Sequence, residues 1–171
     1  LAYLKIWEAD YYVRKWYQLT LVLKGKEYDW HLPSIKKFNC PAYISKIREA
    51  IKHFSIVIAD GMAKVTWPQL RNAIAHSNYS VIGRTITLFN HDSNNQNYSR
   101  PSISMSEWIE INHISYALLF AFMTFEDLIQ DYYEKIAHRE NGVEIKTVID
   151  GKLILKRVQY NVQHKRWRFL R

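Results

Sequence analysis

Apolar residues along this chain recur at alternating steps of three and four. Ile6, Ala9, Val13, Trp16, Thr20 and Leu23 form one such stripe, which predicts an amphipathic helix over residues 2–24. Gly25 follows as a C-terminal stop, since glycine tolerates left-handed dihedrals. A loop containing Pro33 and Pro41 comes next, with room for a helical turn at 34–38. A second stripe, Ile44, Ile47, Ile51, Phe54 and Ile58, predicts a helix from 41 to 60 that ends before Gly61. Thr66 and Gln69 have capping-box spacing, and Pro68 suits a first helical turn. The third helix is therefore short, with Leu70, Ala73 and Ile74 facing inward and Asn78 closing its end.

The period then changes. Residues 80–90 carry β-branched side chains around Gly83-Arg84 and read as a small hairpin, and the polar run 91–100 is a loop. Ser104 and Glu107 offer another capping box for the longest helix, 106–137. Trp108, Ile111, Ser115, Leu118, Phe122, Phe125, Ile129, Tyr132 and Ile136 make one seam on it. Ile114, Ala117, Ala121 and Leu128 make a second strip beside the first. So wide an apolar arc needs cover on more than one side, from the rest of the chain or from a partner. After Asn141-Gly142, residues 143–162 alternate around Asp150-Gly151, a strong hairpin signal. These readings give a mainly α fold, a four-helix-dominated bundle with two small β-hairpins at about 80–90 and 143–162.

A length of 171 residues predicts one domain over 1–171, large enough to bury its own core. At 48% apolar residues, it is excluded from the disordered and low-complexity classes. The lone Cys40 rules out an internal disulfide framework and makes a cytoplasmic location the default. The longest apolar run, 116–125, is half a bilayer span and meets Glu126 and Asp127, so no membrane is expected. The start at Leu1 shows no signal-peptide pattern and reads as trimmed. The net charge is +8, yet residues 152–171 hold seven Lys or Arg and no acid, leaving the first 151 residues near neutral. The extension at 143–171 is thus basic, and Lys165, Arg166 and Arg168 are interleaved with Trp167 and Phe169. This pattern suits a nucleic-acid contact, with cations on phosphates and rings on bases. The alternative is a solvated edge that keeps the protein soluble.

One polar cluster breaks an otherwise apolar helix: Arg71-Asn72-Ala73-Ile74-Ala75-His76. Asn72 and His76 lie four apart and share a face, so the amide has the spacing to orient the imidazole. Arg71 and His76 are about 140° apart on a helix, and converge only if Arg71 swings round, the helix ends at His76, or a second chain supplies the partner. Histidine moves protons near neutral pH, and arginine offers a planar fork for phosphate oxygens. Together they suit transfer at a phosphodiester.

Arg71-Asn72-x-x-x-His76, at the end of a helix in a small helical domain, resembles the R-x4–6-H motif of the HEPN superfamily, helical nucleases of toxin–antitoxin, abortive-infection and CRISPR-associated systems. The resemblance covers residues 1 to about 137. It implies a HEPN-like bundle and a metal-independent endoribonuclease without cofactors. In that chemistry the RNA 2′-OH attacks the adjacent phosphorus to leave 2′,3′-cyclic phosphate and 5′-OH ends. His76 would be general acid or base, Arg71 would stabilise phosphoryl charge, and Asn72 would position either one. A homodimer, an RNA substrate and an antitoxin or defence-system partner are implied as well. Some family toxins carry a regulatory Tyr two residues after the His; here Tyr79 stands one position later. The alternatives are a catalytically inactive nucleotide- or RNA-binding module of a larger assembly, and a helical interaction domain. The remaining histidines have no zinc spacing, so no metal site is expected, and no Gly-rich phosphate loop occurs.

Overall fold

The computed structural model describes residues 2–7, 9–27, 29, 40–94 and 99–170. Among them the order is α1 (Ala2–Trp7), α2 (Asp10–Leu23), α3 (Cys40–Lys52), α4 (Ile56–Val65), α5 (Pro68–Ala75), β1 (Tyr79–Ile82), β2 (Thr85–Leu88), β3 (Ser102–Ser104), α6 (Met105–Glu140), β4 (Val143–Ile149), β5 (Lys152–Asn161) and β6 (Arg166–Phe169). The chain forms two compact units, Leu1–Leu119 and Phe120–Arg171. No helix among the described residues is long and apolar enough to cross a membrane.

In the first unit, α1 packs on α2 and α5, α2 on α3, and α3 on α4. Its core combines aromatic bulk with placed polar groups. The Tyr3 hydroxyl donates to the Val65 carbonyl at 2.6 Å, satisfying a carbonyl that the end of α4 leaves without an intrahelical partner. The Trp7 indole N–H donates to Ser115 Oγ at 3.0 Å, and Ser115 donates onward to the Ile111 carbonyl at 2.8 Å. Tyr3 meets Trp108 edge-on, and Trp7, Tyr12 and Trp16 form a T-shaped series. Burial pushes the Tyr12 hydroxyl pKa up to about 12.

The bundle-with-hairpins expectation is corrected here. Each hairpin gains a third strand, giving two three-stranded antiparallel sheets, β1-β2-β3 and β4-β5-β6. The first extra strand has three residues, too few for alternation to stand out, although Ile103 is fully buried opposite Ile86. The second lies in the basic run: Arg166-Trp167-Arg168-Phe169 alternates strictly, and its charge masks a period of two.

Two of the expected long helices are also broken. The first divides at Ala9, whose backbone is extended, although no glycine or proline marks the place. Gly25 does end α2 with φ +66. The second divides at 53–55, where the Ser55 hydroxyl accepts from the Ile58 N–H at 3.3 Å and caps α4. The stripe therefore fails past Ile51: Phe54 and Ile58 are exposed, and Gly61 lies inside α4. The loop at Pro33 and the turn at 34–38 lie outside the described residues.

The Ser104–Glu107 capping box opens α6 as the spacing predicts. Ser104 N–H donates to Glu107 Oε2 at 2.9 Å, and Glu107 N–H to Ser104 Oγ at 3.1 Å. The seam on α6 is buried from Ile111 to Phe122, but Phe125, Leu128, Ile129 and Tyr132 are 37–62% exposed. Among the described residues, the second half of this wide apolar arc is left exposed.

In the second unit, residues opposite one another in the ladder share a face. One face carries Ile145, Ile154, Val158, Tyr160 and Trp167, with Tyr160 and Trp167 at 5.3 Å. The other carries Lys146, Arg157, Arg166 and Arg168 with Gln159 and Asn161, and also Glu144 opposite Arg157 and the apolar Val148, Leu153 and Leu155. The β4–β5 turn uses Asp150 and Gly151, both left-handed, as a two-residue hairpin of this twist requires.

Candidate functional site

Helix α5 is set by two residues three apart, Leu70 and Ala73, both fully buried. Their anchoring fixes the rotation of the helix and hence where Arg71, Asn72 and His76 lie. Thr66 is not its N-cap. That hydroxyl donates to the Met62 carbonyl at 2.6 Å and closes α4. Trp67 occupies the cap position without a side-chain bond, and Pro68 follows in the first turn. Gln69 does not reach back either. Its amide clamps the backbone of Arg100, donating to the carbonyl at 2.7 Å and accepting from the N–H at 2.8 Å. The Asn90 amide donates to the Gln69 carbonyl at 2.8 Å. Two residues of the β2–β3 connection thereby hold the start of α5.

The other end is a Schellman closure. Asn78 N–H bonds the Ala73 carbonyl at 2.7 Å and Ser77 N–H the Ile74 carbonyl at 3.3 Å. Ser77 adopts φ +54, a place usually given to glycine. The closure leaves His76 as C-cap, exposed, with its imidazole unbonded among the described residues. Asn72 is exposed too. Its carbonyl accepts the His76 backbone N–H at 3.1 Å, but its amide makes no bond to the imidazole. Tyr79 starts β1, paired with Leu88, and is 38% exposed.

Arg71 lies elsewhere. It lines a cavity of about 320 Å³ together with Arg48 of α3, Trp67, Pro68, Thr66 and Ser45, and His76 is not part of that lining. One chain thus brings Arg71 to Arg48 rather than to His76. Both arginines are half-buried. The Nε of each is shut off from water without a hydrogen-bond partner, neither guanidinium pairs with an acid among the described residues, and none of the described lining residues is acidic. The sequence pattern alone does not single out Arg48. Its one signal is position, a cation beside the buried Ile47 of the α3 stripe.

Close by, the Arg100 guanidinium lies over the Trp67 ring at 5.5 Å and donates to Glu107 at 2.8 Å. The Ser104 backbone N–H and then Arg100 hold the Glu107 carboxyl down to a pKa of about 2. Glu107 is thus already partnered within the fold.

Lys165, Arg166 and Arg168 are exposed and have no acidic partner among the described residues. Arg166 and Arg168 project from one sheet face, and Lys165 sits at the β5–β6 turn with φ +46. Arg157 on that face is committed otherwise, donating to the Glu140 carbonyl at 2.7 Å and closing the end of α6. No group of three His, Cys, Asp or Glu able to hold a metal occurs among the described residues.

No family of known proteins matches this chain, and neither a curated protein nor a solved structure is similar to it.

Proposed function

We propose that this protein is a metal-independent endoribonuclease whose chemistry rests on Arg71 and His76. The observation that carries the reading is that both side chains, five residues apart on the last turns of α5, are left without partners among the described residues. Half-buried arginines are normally hydrogen-bonded, and one without a partner keeps its outer donors open to an external anion. Asn72 stands between them on the same helix, as in the Arg-Asn-x-x-x-His pattern that resembles the HEPN superfamily.

In the reaction, a base takes the proton of the RNA 2′-OH and the 2′-oxygen attacks the adjacent phosphorus. The bond from phosphorus to the 5′-oxygen breaks, and that oxygen takes up a proton. The ends are a 2′,3′-cyclic phosphate and a 5′-OH. His76 is the proton-moving group, and Arg71 balances the charge that grows on the non-bridging oxygens. DNA lacks the nucleophile and is not cut. Because Arg71 and His76 do not share a cavity in one chain, the working unit is a homodimer in which each site draws on both copies. The uncovered apolar residues of α6, Phe125, Leu128, Ile129 and Tyr132, supply surface for such an association. A toxin or antiphage role with a protein partner follows from the same resemblance.

Incubation with labelled RNA in excess chelator tests the reading. The wild type should cut, and His76→Ala should lose at least about 10²-fold, the usual scale for an acid–base group. His76 is exposed and unbonded, so that variant should keep the wild-type melting temperature. Full activity in His76→Ala would remove the mechanism, and strict metal dependence would point to another enzyme.

A further inference from the structure

The described residues that line the cavity beside Trp67 include two cations and no acid. Ordinary packing does not favour that arrangement. Two guanidiniums around one cavity repel each other, and their partial burial weakens the solvent screening that would soften the repulsion. Each has lost water at Nε without gaining a hydrogen bond, an omission that costs free energy wherever it occurs. An anion between them relieves the repulsion and accepts charge-assisted bonds from their outer nitrogens.

We infer that Arg48 and Arg71 form a phosphate-binding pocket between α3 and the start of α5, which holds a phosphodiester of a bound RNA strand. A phosphodiester shares its negative charge between two non-bridging oxygens, one for each guanidinium, and the planar forks suit that tetrahedral group. The volume of about 320 Å³ lies at the low end of small-ligand cavities, about 300–1,000 Å³, enough for a phosphate with its attached sugar. Trp67 and Pro68 give the pocket an apolar wall, and Ser45 adds an exposed hydroxyl. Arg48 is thereby a substrate-binding residue that the Arg71–His76 motif does not include. The choice of RNA as the source of the phosphate rests on the ribonuclease reading; the phosphate chemistry of the pocket does not.

Binding, rather than cutting, tests the pocket. The probes are a 2′-O-methyl oligoribonucleotide, which has no free 2′-OH and stays intact, and a nucleoside 5′-monophosphate. Calorimetric titration of the full chain is repeated over a range of salt concentrations. Arg48→Ala should weaken oligonucleotide binding about tenfold and flatten the plot of log K against log salt by about 0.7, the amount expected when one phosphate is no longer neutralised. Arg48→Gln, which keeps most of the packed stem, should behave alike, separating lost charge from lost packing. Unchanged affinity and slope in both variants would overturn the pocket. Loss of monophosphate binding with oligonucleotide binding intact would overturn the RNA assignment in favour of a free phosphorylated ligand. If the wild type cuts no RNA yet binds through Arg48, the pocket stands and the ribonuclease reading falls. Should His76-dependent cleavage occur while the Arg48 variants bind normally, the ribonuclease reading stands and the pocket falls.

Discussion

Ser115→Ala isolates one bond at the centre of the first unit. Ser115 is fully buried in α6, accepts the Trp7 indole N–H at 3.0 Å and donates to the Ile111 carbonyl at 2.8 Å. Removing the hydroxyl strands the indole donor of a residue only 2% exposed. A buried donor left unsatisfied costs about 1–3 kcal/mol. Two effects work against that loss. Alanine gains roughly 0.5 kcal/mol over serine inside a helix, and the Ile111 carbonyl remains within α6. The expected net destabilisation is about 1–2 kcal/mol, which for a chain of this size lowers the melting temperature by about 2–8 °C. Urea unfolding followed by tryptophan fluorescence and circular dichroism measures it, provided the two signals change together. Trp7→Phe completes a double-mutant cycle. In the Ser115→Ala background it should cost about 1 kcal/mol less than in the wild type, because the bond is already gone. Strict additivity, or a Ser115→Ala protein as stable as the wild type, would show that helix preference outweighs this bond and that α1 is held to α6 by apolar contact alone.

Two further outcomes follow from the charged groups. Glu107 is held to a pKa of about 2, below the ordinary carboxylate value of about 4.3. Its contribution to stability is therefore full above the unfolded value and is lost as pH falls through about 4 towards about 2. Glu107→Gln should be less stable than the wild type at pH 7, with the gap closing near pH 2 to 3; urea midpoints that fall in parallel would refute the assignment. For the basic face, Arg166→Ala combined with Arg168→Ala should flatten the salt dependence of RNA binding by about 1.4 units of slope, about 0.7 per phosphate on a single strand. An unchanged slope would make that face a solvated edge.

Several elements were legible in the sequence because their signals are local. The Ser104–Glu107 box, the Gly25 stop and the Asp150-Gly151 turn each depend on the chemistry of a few adjacent residues, and all three form as their spacing indicates. Leu70 and Ala73 likewise declare the inward side of α5. The Arg71-Asn72-x-x-x-His76 cluster was visible as chemistry, but its geometry was not.

What only the tertiary structure decided depends on competition between distant groups. Thr66 and Gln69 have the spacing of a capping box, yet Met62 claims the Thr66 hydroxyl and the Arg100 backbone claims the Gln69 amide. The break at Ala9 carries no glycine or proline, and accompanies the edge-on contact of Trp7 with Tyr12. β3 is three residues long and β6 is hidden under its own charge, so their pairing becomes visible only in register. Arg48 and Arg71 are 23 positions apart in the chain, and only the fold sets both against one cavity. A hydrophobic period specifies which side of an element is buried; which cations are left without an acid depends on every other element that reaches them.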